Sequence, residues 1–125
     1  MIHSENENVH LFRRVMVVGS FFTENIKEGA KSAEVGEYVT LKREKHNKFD
    51  VSAVAVYNRR GIKLGYVARE QNAAVANVMD SGLAECYGII TSLNKKRSSV
   101  GMLAELYLIC DDDNFMRIKY IIQRS

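Results

Sequence analysis

The chain has no proline and no tryptophan, and only two cysteines in 125 residues. Missing proline excludes Pro-rich linkers and polyproline II segments. Two cysteines, Cys86 and Cys110, exclude a disulfide-stapled scaffold and a four-cysteine zinc site. No run of 18 apolar residues occurs, so no helix is expected to span a membrane. Residues 1–8 are polar and acidic, unlike a signal peptide. These absences lead to the expectation of a cytoplasmic protein with no membrane partner. What remains is ordinary for one globular domain: 46% hydrophobic and 26% charged residues. A chain of this length buries roughly two-thirds of its unfolded surface, enough for one core.

The net charge of +3 is weak, but it is segregated. Residues 42–69 hold eight cations (Lys42, Arg43, Lys45, Lys48, Arg59, Arg60, Lys63, Arg69) against Glu44 and Asp50, a net of +6. The rest of the chain is net −3. If those residues form adjacent strands, the cations can share a surface that binds phosphates by releasing counterions. The alternative is a set of ordinary solvated charges on hairpin edges.

Periodicity gives a mainly β reading. Val15 to Val18 reads as a buried strand ending at Gly19. In Glu37 to Arg43, Val39 and Leu41 share one face, and Tyr38, Thr40 and Lys42 the other. Val51 to Tyr57 and Ile62 to Val67 read as strands joined by the hairpin connection Asn58-Arg59-Arg60-Gly61. Arg69 to Ser81 reads as a helix, with Ala74, Val75, Val78 and Met79 in one stripe and Gly82 just past its end. Glu85 to Leu93 and Met102 to Cys110 read as strands, and 111–114 as a turn. Met116, Ile118, Tyr120 and Ile122 alternate with polar residues and read as a last strand. The expected fold is a small, OB-like antiparallel β-barrel of about six strands with a helix after the central ones. The expected organisation is a flexible tail over residues 1–10 and one domain over 11–125.

The central motifs are specific. Leu41-Lys42-Arg43-Glu44-Lys45, then Asn47-Lys48-Phe49-Asp50, then Ala53-Val54-Ala55-Val56, then Gly61-Ile62-Lys63-Leu64-Gly65-Tyr66-Val67-Ala68-Arg69-Glu70, resemble the HIRAN domain family. Val18-Gly19 before the aromatic pair Phe21-Phe22, and Asp80-Ser81-Gly82 at the helix end, look like further family segments. The resemblance covers about residues 14–110. It implies a modified OB-fold barrel that binds single-stranded DNA, captures the 3′-hydroxyl end, and serves DNA repair at stalled forks. Family members usually accompany a helicase motor; a chain this short resembles the free-standing kind. The implied partner besides DNA is a separately encoded helicase or nuclease.

The resemblance also implies roles. Asp50 accepts a hydrogen bond from the terminal 3′-hydroxyl, since a carboxylate takes a free hydroxyl and repels a continuing phosphodiester. Phe49 packs on a base, and Phe21 or Phe22 supplies a second stacking ring. Asn47 helps shape the turn and contacts the end nucleotide, Arg69 at the helix start reaches a phosphate, Arg43 contacts DNA, and Tyr66 stands where histidine is commoner. Lys45 and Lys48 replace prolines; they lose a preset φ and add charge for phosphate. Ser20 stands where one branch has arginine, and Ser52 where asparagine is common. These departures bear on 3′-end selectivity more than on single-strand binding. Each residue also has a plainer reading: Phe21, Phe22 and Phe49 as core, Asn47 and Asp50 as turn formers, Arg43 as a solvated charge.

No catalytic constellation stands out, so no enzyme, cofactor, metal or small-molecule substrate is expected. Cys86 and Cys110 lie in apolar runs and read as small buried hydrophobes. Three consecutive acids, Asp111 to Asp113, splay apart and read as a turn. The alternative function is a protein-interaction or self-assembly module that keeps the fold without the pocket.

Overall fold

Alternating and β-branched segments form six strands: β1 (Asn8–Val18), β2 (Tyr38–Arg43), β3 (Val54–Tyr57), β4 (Lys63–Val67), β5 (Glu85–Asn94) and β6 (Gly101–Cys110). Among the described residues, helix α1 (Asn72–Ser81) lies between β4 and β5, and helix α2 (Asp112–Gln123) follows β6. The computed structural model describes residues 8–19, 32–94 and 101–125. Every strand pairs antiparallel, and the order β1-β4-β3-β2-β5-β6 closes into a barrel with no free edge. Val15, Val17, Val39, Val54, Val56, Leu64, Ile90 and Leu106 fill its core. Among the described residues no helix is long and apolar enough to cross a membrane.

Closure needs β1 to approach β4 closely, with Val17 opposite Val67 and Val18 opposite Tyr66. Gly65 makes this possible. Its φ is +150°, and a Cβ there would lie 2.3 Å from the Val18 carbonyl oxygen.

The strand expectations over 37–43, 62–67, 85–93 and 102–110 hold, with Val39 buried and Tyr38, Thr40 and Lys42 exposed as the alternation requires, whereas the strand expected from Val51 starts only at Val54 because residues 51–53 close a turn. Three differences are physical. β1 starts at Asn8 and pairs Asn8, Val9 and His10 with Cys110, Ile109 and Leu108, so these residues belong to the barrel rather than to a tail. Helix α1 begins at Asn72, leaving Arg69 in the connection before it. Residues 116–123 are helix, not a strand.

The last segment follows the helical period rather than the strand period. Asp111 caps α2, its carboxylate accepting from the Asn114 N–H at 2.7 Å, and Asp112 and Asp113 sit in the first turn, where the helix dipole favours anions. Phe115, Ile118, Ile121 and Ile122 then fall on one helical face. They pack with Val78 of α1 and with Leu108 and Cys110 in a second apolar cluster at the α1 end of the barrel.

Candidate functional site

Strand β2 ends at Arg43, β3 begins at Val54, and β4 ends at Val67. Antiparallel pairing of β2, β3 and β4 therefore brings the 44–53 loop and the 68–71 connection to one end of the barrel. The loop lacks proline, and hydrogen bonds set its shape instead. Asn47 Oδ1 accepts from the Phe49 and Asp50 N–H groups at 2.9 and 3.1 Å. Asp50 Oδ1 accepts from the Ser52 N–H at 2.9 Å. Backbone bonds from Asn47 N to Glu44 O (3.1 Å) and from Ala53 N to Asp50 O (3.1 Å) close two successive turns.

Two side-chain networks lock this loop to the barrel. In one, Glu44 Oε1 accepts from Asn47 Nδ2 at 3.0 Å and from the Tyr66 hydroxyl at 3.1 Å. Lys63 Nζ donates to Glu44 Oε2 at 3.1 Å and to the Tyr66 hydroxyl at 2.9 Å. Burial raises the Glu44 carboxyl, but Asn47, Lys63 and Tyr66 outweigh it and hold the group below its ordinary value. In the other, Arg43 donates to Asp80 through Nε and Nη2, to Ala53 O at 2.8 Å and to Val51 O at 3.1 Å. Four of its five N–H donors face the protein, and its side chain is only 13% exposed. Arg43 is thus neither the solvated charge nor a free cation; it braces the loop against the end of α1.

Asp50 sits where these elements meet. Its Oδ2 accepts from Asn72 Nδ2 at 2.7 Å and lies 3.4 Å from Arg69 Nε. Arg69 also donates to the Phe49 carbonyl. Burial pushes the Asp50 carboxyl up, but the Ser52 N–H, Asn72 and Arg69 together bring it below its ordinary value. It is therefore anionic at neutral pH. Beside it the Phe49 ring is 85% exposed, which disposes of the core reading for that residue. Lys45 and Lys48 are exposed on the same loop, and Lys45 Nζ lies 3.8 Å from Asp80.

Of the expected site residues, the structure gathers Asn47, Phe49, Asp50 and Arg69 into one hydrogen-bonded cluster, with Lys45 and Lys48 on its loop. Tyr66 supports the cluster from β4 through Glu44. Phe21 and Phe22 lie outside the described residues. Sequence reasoning missed Glu44, Lys63, Asn72 and Asp80 as members. Asn72 alone carried a signal, being a polar residue three positions before Val75 on the buried stripe. Among the described residues, no three His, Cys, Asp or Glu side chains are placed to hold a metal ion. Cys110 is buried as expected, and Cys86 is half-buried against both apolar clusters, where desolvation pushes its thiol up to about 12.

The HIRAN domain family model matches residues 11–108. A crystal structure of a protein from Lactobacillus plantarum is similar at 32% identity and TM-score 0.75, over 82% of this chain and 97% of its own. The crystal structure of the HIRAN domain of human HLTF has a TM-score of 0.74 at 23% identity, over 93% of this chain and 91% of its own, a likeness of fold. The same holds for the NMR structure of the HLTF HIRAN domain in its DNA-bound conformation, with TM-score 0.70 at 22% identity, over 95% and 91%. The mouse (Mus musculus) Helicase-like transcription factor is 43% identical over 54 residues, 43% of this chain. The chain spans about 5% of the length of that relative.

Proposed function

Because the chain belongs to the HIRAN domain family, we propose that it binds single-stranded DNA and recognises the 3′-hydroxyl end. The observation that carries this is the Asp50 carboxylate, ionised, held by three donors, and flanked by an exposed aromatic ring. A terminal hydroxyl donates to such a group. A strand that continues would place a phosphodiester anion against it, and that repulsion selects for ends. Phe49 supplies the stacking face for a terminal base, and stacking is tolerant of sequence. Arg69 stands beside both, with donors for the adjoining phosphate. Lys45 and Lys48 add an exposed, salt-sensitive attraction for the backbone. The DNA-bound conformation recorded for the HLTF HIRAN domain, a protein of the same fold, supports DNA as the ligand class.

Arg43 has no place in this contact set, since its donors are engaged within the fold. Its role is to hold the loop that presents Phe49 and Asp50. Asn47 likewise shapes the turn from within, its amide oxygen holding the two N–H groups.

The test is fluorescence anisotropy of a 5′-labelled single strand at two salt concentrations. Binding at low salt that weakens as salt rises is expected; no binding at low salt contradicts the proposal. One observation favours the protein-interaction alternative. Tyr38, Tyr87 and Tyr107 form a run of neighbouring rings on the outer barrel wall, with centroids 5.9 and 5.5 Å apart. Self-association in solution, lost on Tyr87→Ser, together with absent DNA binding, is what that alternative requires.

A further inference from the structure

Asn72 is one of two buried polar residues in the described chain, 4% exposed, on the first turn of α1. An asparagine at the start of a helix ordinarily serves the backbone as a cap. This one does not: the helix start has no side-chain cap, and the Asn72 amide donates to Asp50 Oδ2 at 2.7 Å.

The geometry of the carboxylate makes that bond consequential. An ionised carboxylate offers about four lone-pair sites. On Oδ2, Asn72 donates at 2.7 Å and Arg69 Nε stands in an ion pair at 3.4 Å. On Oδ1, the Ser52 N–H fills one at 2.9 Å. Among the described residues Oδ1 thus meets one backbone donor and keeps an acceptor place, while Oδ2 faces two side chains. We propose that Asn72 is a positioning residue that sets end specificity: by occupying Oδ2 it fixes the rotation of the Asp50 carboxylate, so that Oδ1 receives the terminal hydroxyl. The inference rests on the reading of Asp50 as the hydroxyl acceptor.

Arg69 cannot do this alone. Its side chain is 71% exposed, and a long exposed side chain is free to leave for phosphate when a strand binds. Asn72 is short, buried and neutral, so it stays and adds no competing charge. The loop itself contributes Asn47, which holds the Asp50 N–H, and the charged group against the carboxylate is Arg69 of the β4–α1 connection. A carboxylate at position 72 would repel Asp50 and share a proton with it.

The experiment compares single strands ending in 3′-hydroxyl and 3′-phosphate against the wild type, Asn72→Ala, Asn72→Asp and Asp50→Ala. It is paired with an NMR titration of the Asp50 carboxyl in the free proteins. Asn72→Ala is expected to lose about tenfold of the preference for the hydroxyl end while binding the phosphate end as before, and Asp50 is expected to titrate at higher pH. Asn72→Asp keeps the shape and serves where Asn72→Ala does not fold. Its preference is expected to be lost at neutral pH, where the two carboxylates repel. If Asp50→Ala abolishes the preference but Asn72→Ala keeps it, the inference is overturned and the 3′-hydroxyl reading stands. An unmoved Asp50 titration in Asn72→Ala overturns it without reference to DNA. A wild type that binds both ends equally defeats the reading itself, and the inference with it.

Discussion

Arg43 and Asp80, 37 residues apart in the chain, meet in a two-pronged ion pair, Nε to Oδ1 at 3.0 Å and Nη2 to Oδ2 at 3.1 Å. The same guanidinium holds Val51 O and Ala53 O. One side chain thus ties the end of β2, the return of the 44–53 loop and the last turn of α1 together. Arg43→Ala is expected to destabilise the fold by about 2 kcal/mol, because two backbone carbonyls and a carboxylate lose a charged donor. Asp80→Asn is expected to cost about 1 kcal/mol or less, since Asp80 is a third exposed and solvent screens the pair. Denaturant melts of both variants check this. Arg43→Lys should resemble Arg43→Ala more than wild type, because an ammonium cannot make the fork.

Gly65→Ala is expected to be more damaging than either. Its new Cβ would meet the Val18 carbonyl oxygen at 2.3 Å from a backbone at φ +150°. Strain of this kind costs about 3 kcal/mol or more, or about 10 °C in Tm for a chain of this length. Gly61→Ala, where nothing lies within 4 Å of a Cβ, carries only the positive-φ penalty and serves as the comparison.

Acid should loosen the loop before it unfolds the barrel. Asp50, Glu44 and Asp80 all have folded-state values below their ordinary 3.8, 4.5 and 3.8. Groups so lowered contribute stability that is fully present above the ordinary values and lost as pH falls through the folded ones. Thermal melts are therefore expected to be flat in pH down to about 5 and to fall below about 4. Loop amides at Phe49, Asp50 and Ser52 should lose exchange protection ahead of β5 and β6.

Phe49→Ala is expected to weaken single-strand binding by about 1–3 kcal/mol, the contribution of one stacked base. It should leave stability within about 0.5 kcal/mol, because the ring is exposed in the free protein. Phe49→Tyr should retain affinity. Calorimetric binding beside a melt of each variant separates the two effects.

Much of the barrel was legible in the sequence, because buried strands leave a period of two in side-chain polarity. Val39 against Tyr38 and Thr40 is the plainest case. The closing of those strands on one another was less legible: nothing local marks Gly65 as the point where β1 passes. Residues 116–123 misled because Met116, Ile118, Tyr120 and Ile122 satisfy the strand period by accident. The Asp111 cap and the two following acids are the competing helix signal, and three consecutive acids resemble a turn equally well. At the site, the residues of one short loop were legible by resemblance. Their supports were not, since Lys63, Asn72 and Asp80 reach the loop from 19, 22 and 37 residues away. The bracing role of Arg43 is hidden for the same reason: a cation with a distant partner looks free in a sequence.

The central claim is that Asp50 selects a strand end by accepting its hydroxyl. The most direct measurement is the affinity ratio of wild type and Asp50→Asn for otherwise identical single strands ending in 3′-hydroxyl and 3′-phosphate. Wild type should favour the hydroxyl end by tenfold or more. Asp50→Asn removes the charge that repels phosphate and should bring the ratio close to one, mainly by tightening the phosphate end. Equal affinities in wild type, or a preference that survives Asp50→Asn unchanged, would contradict the account.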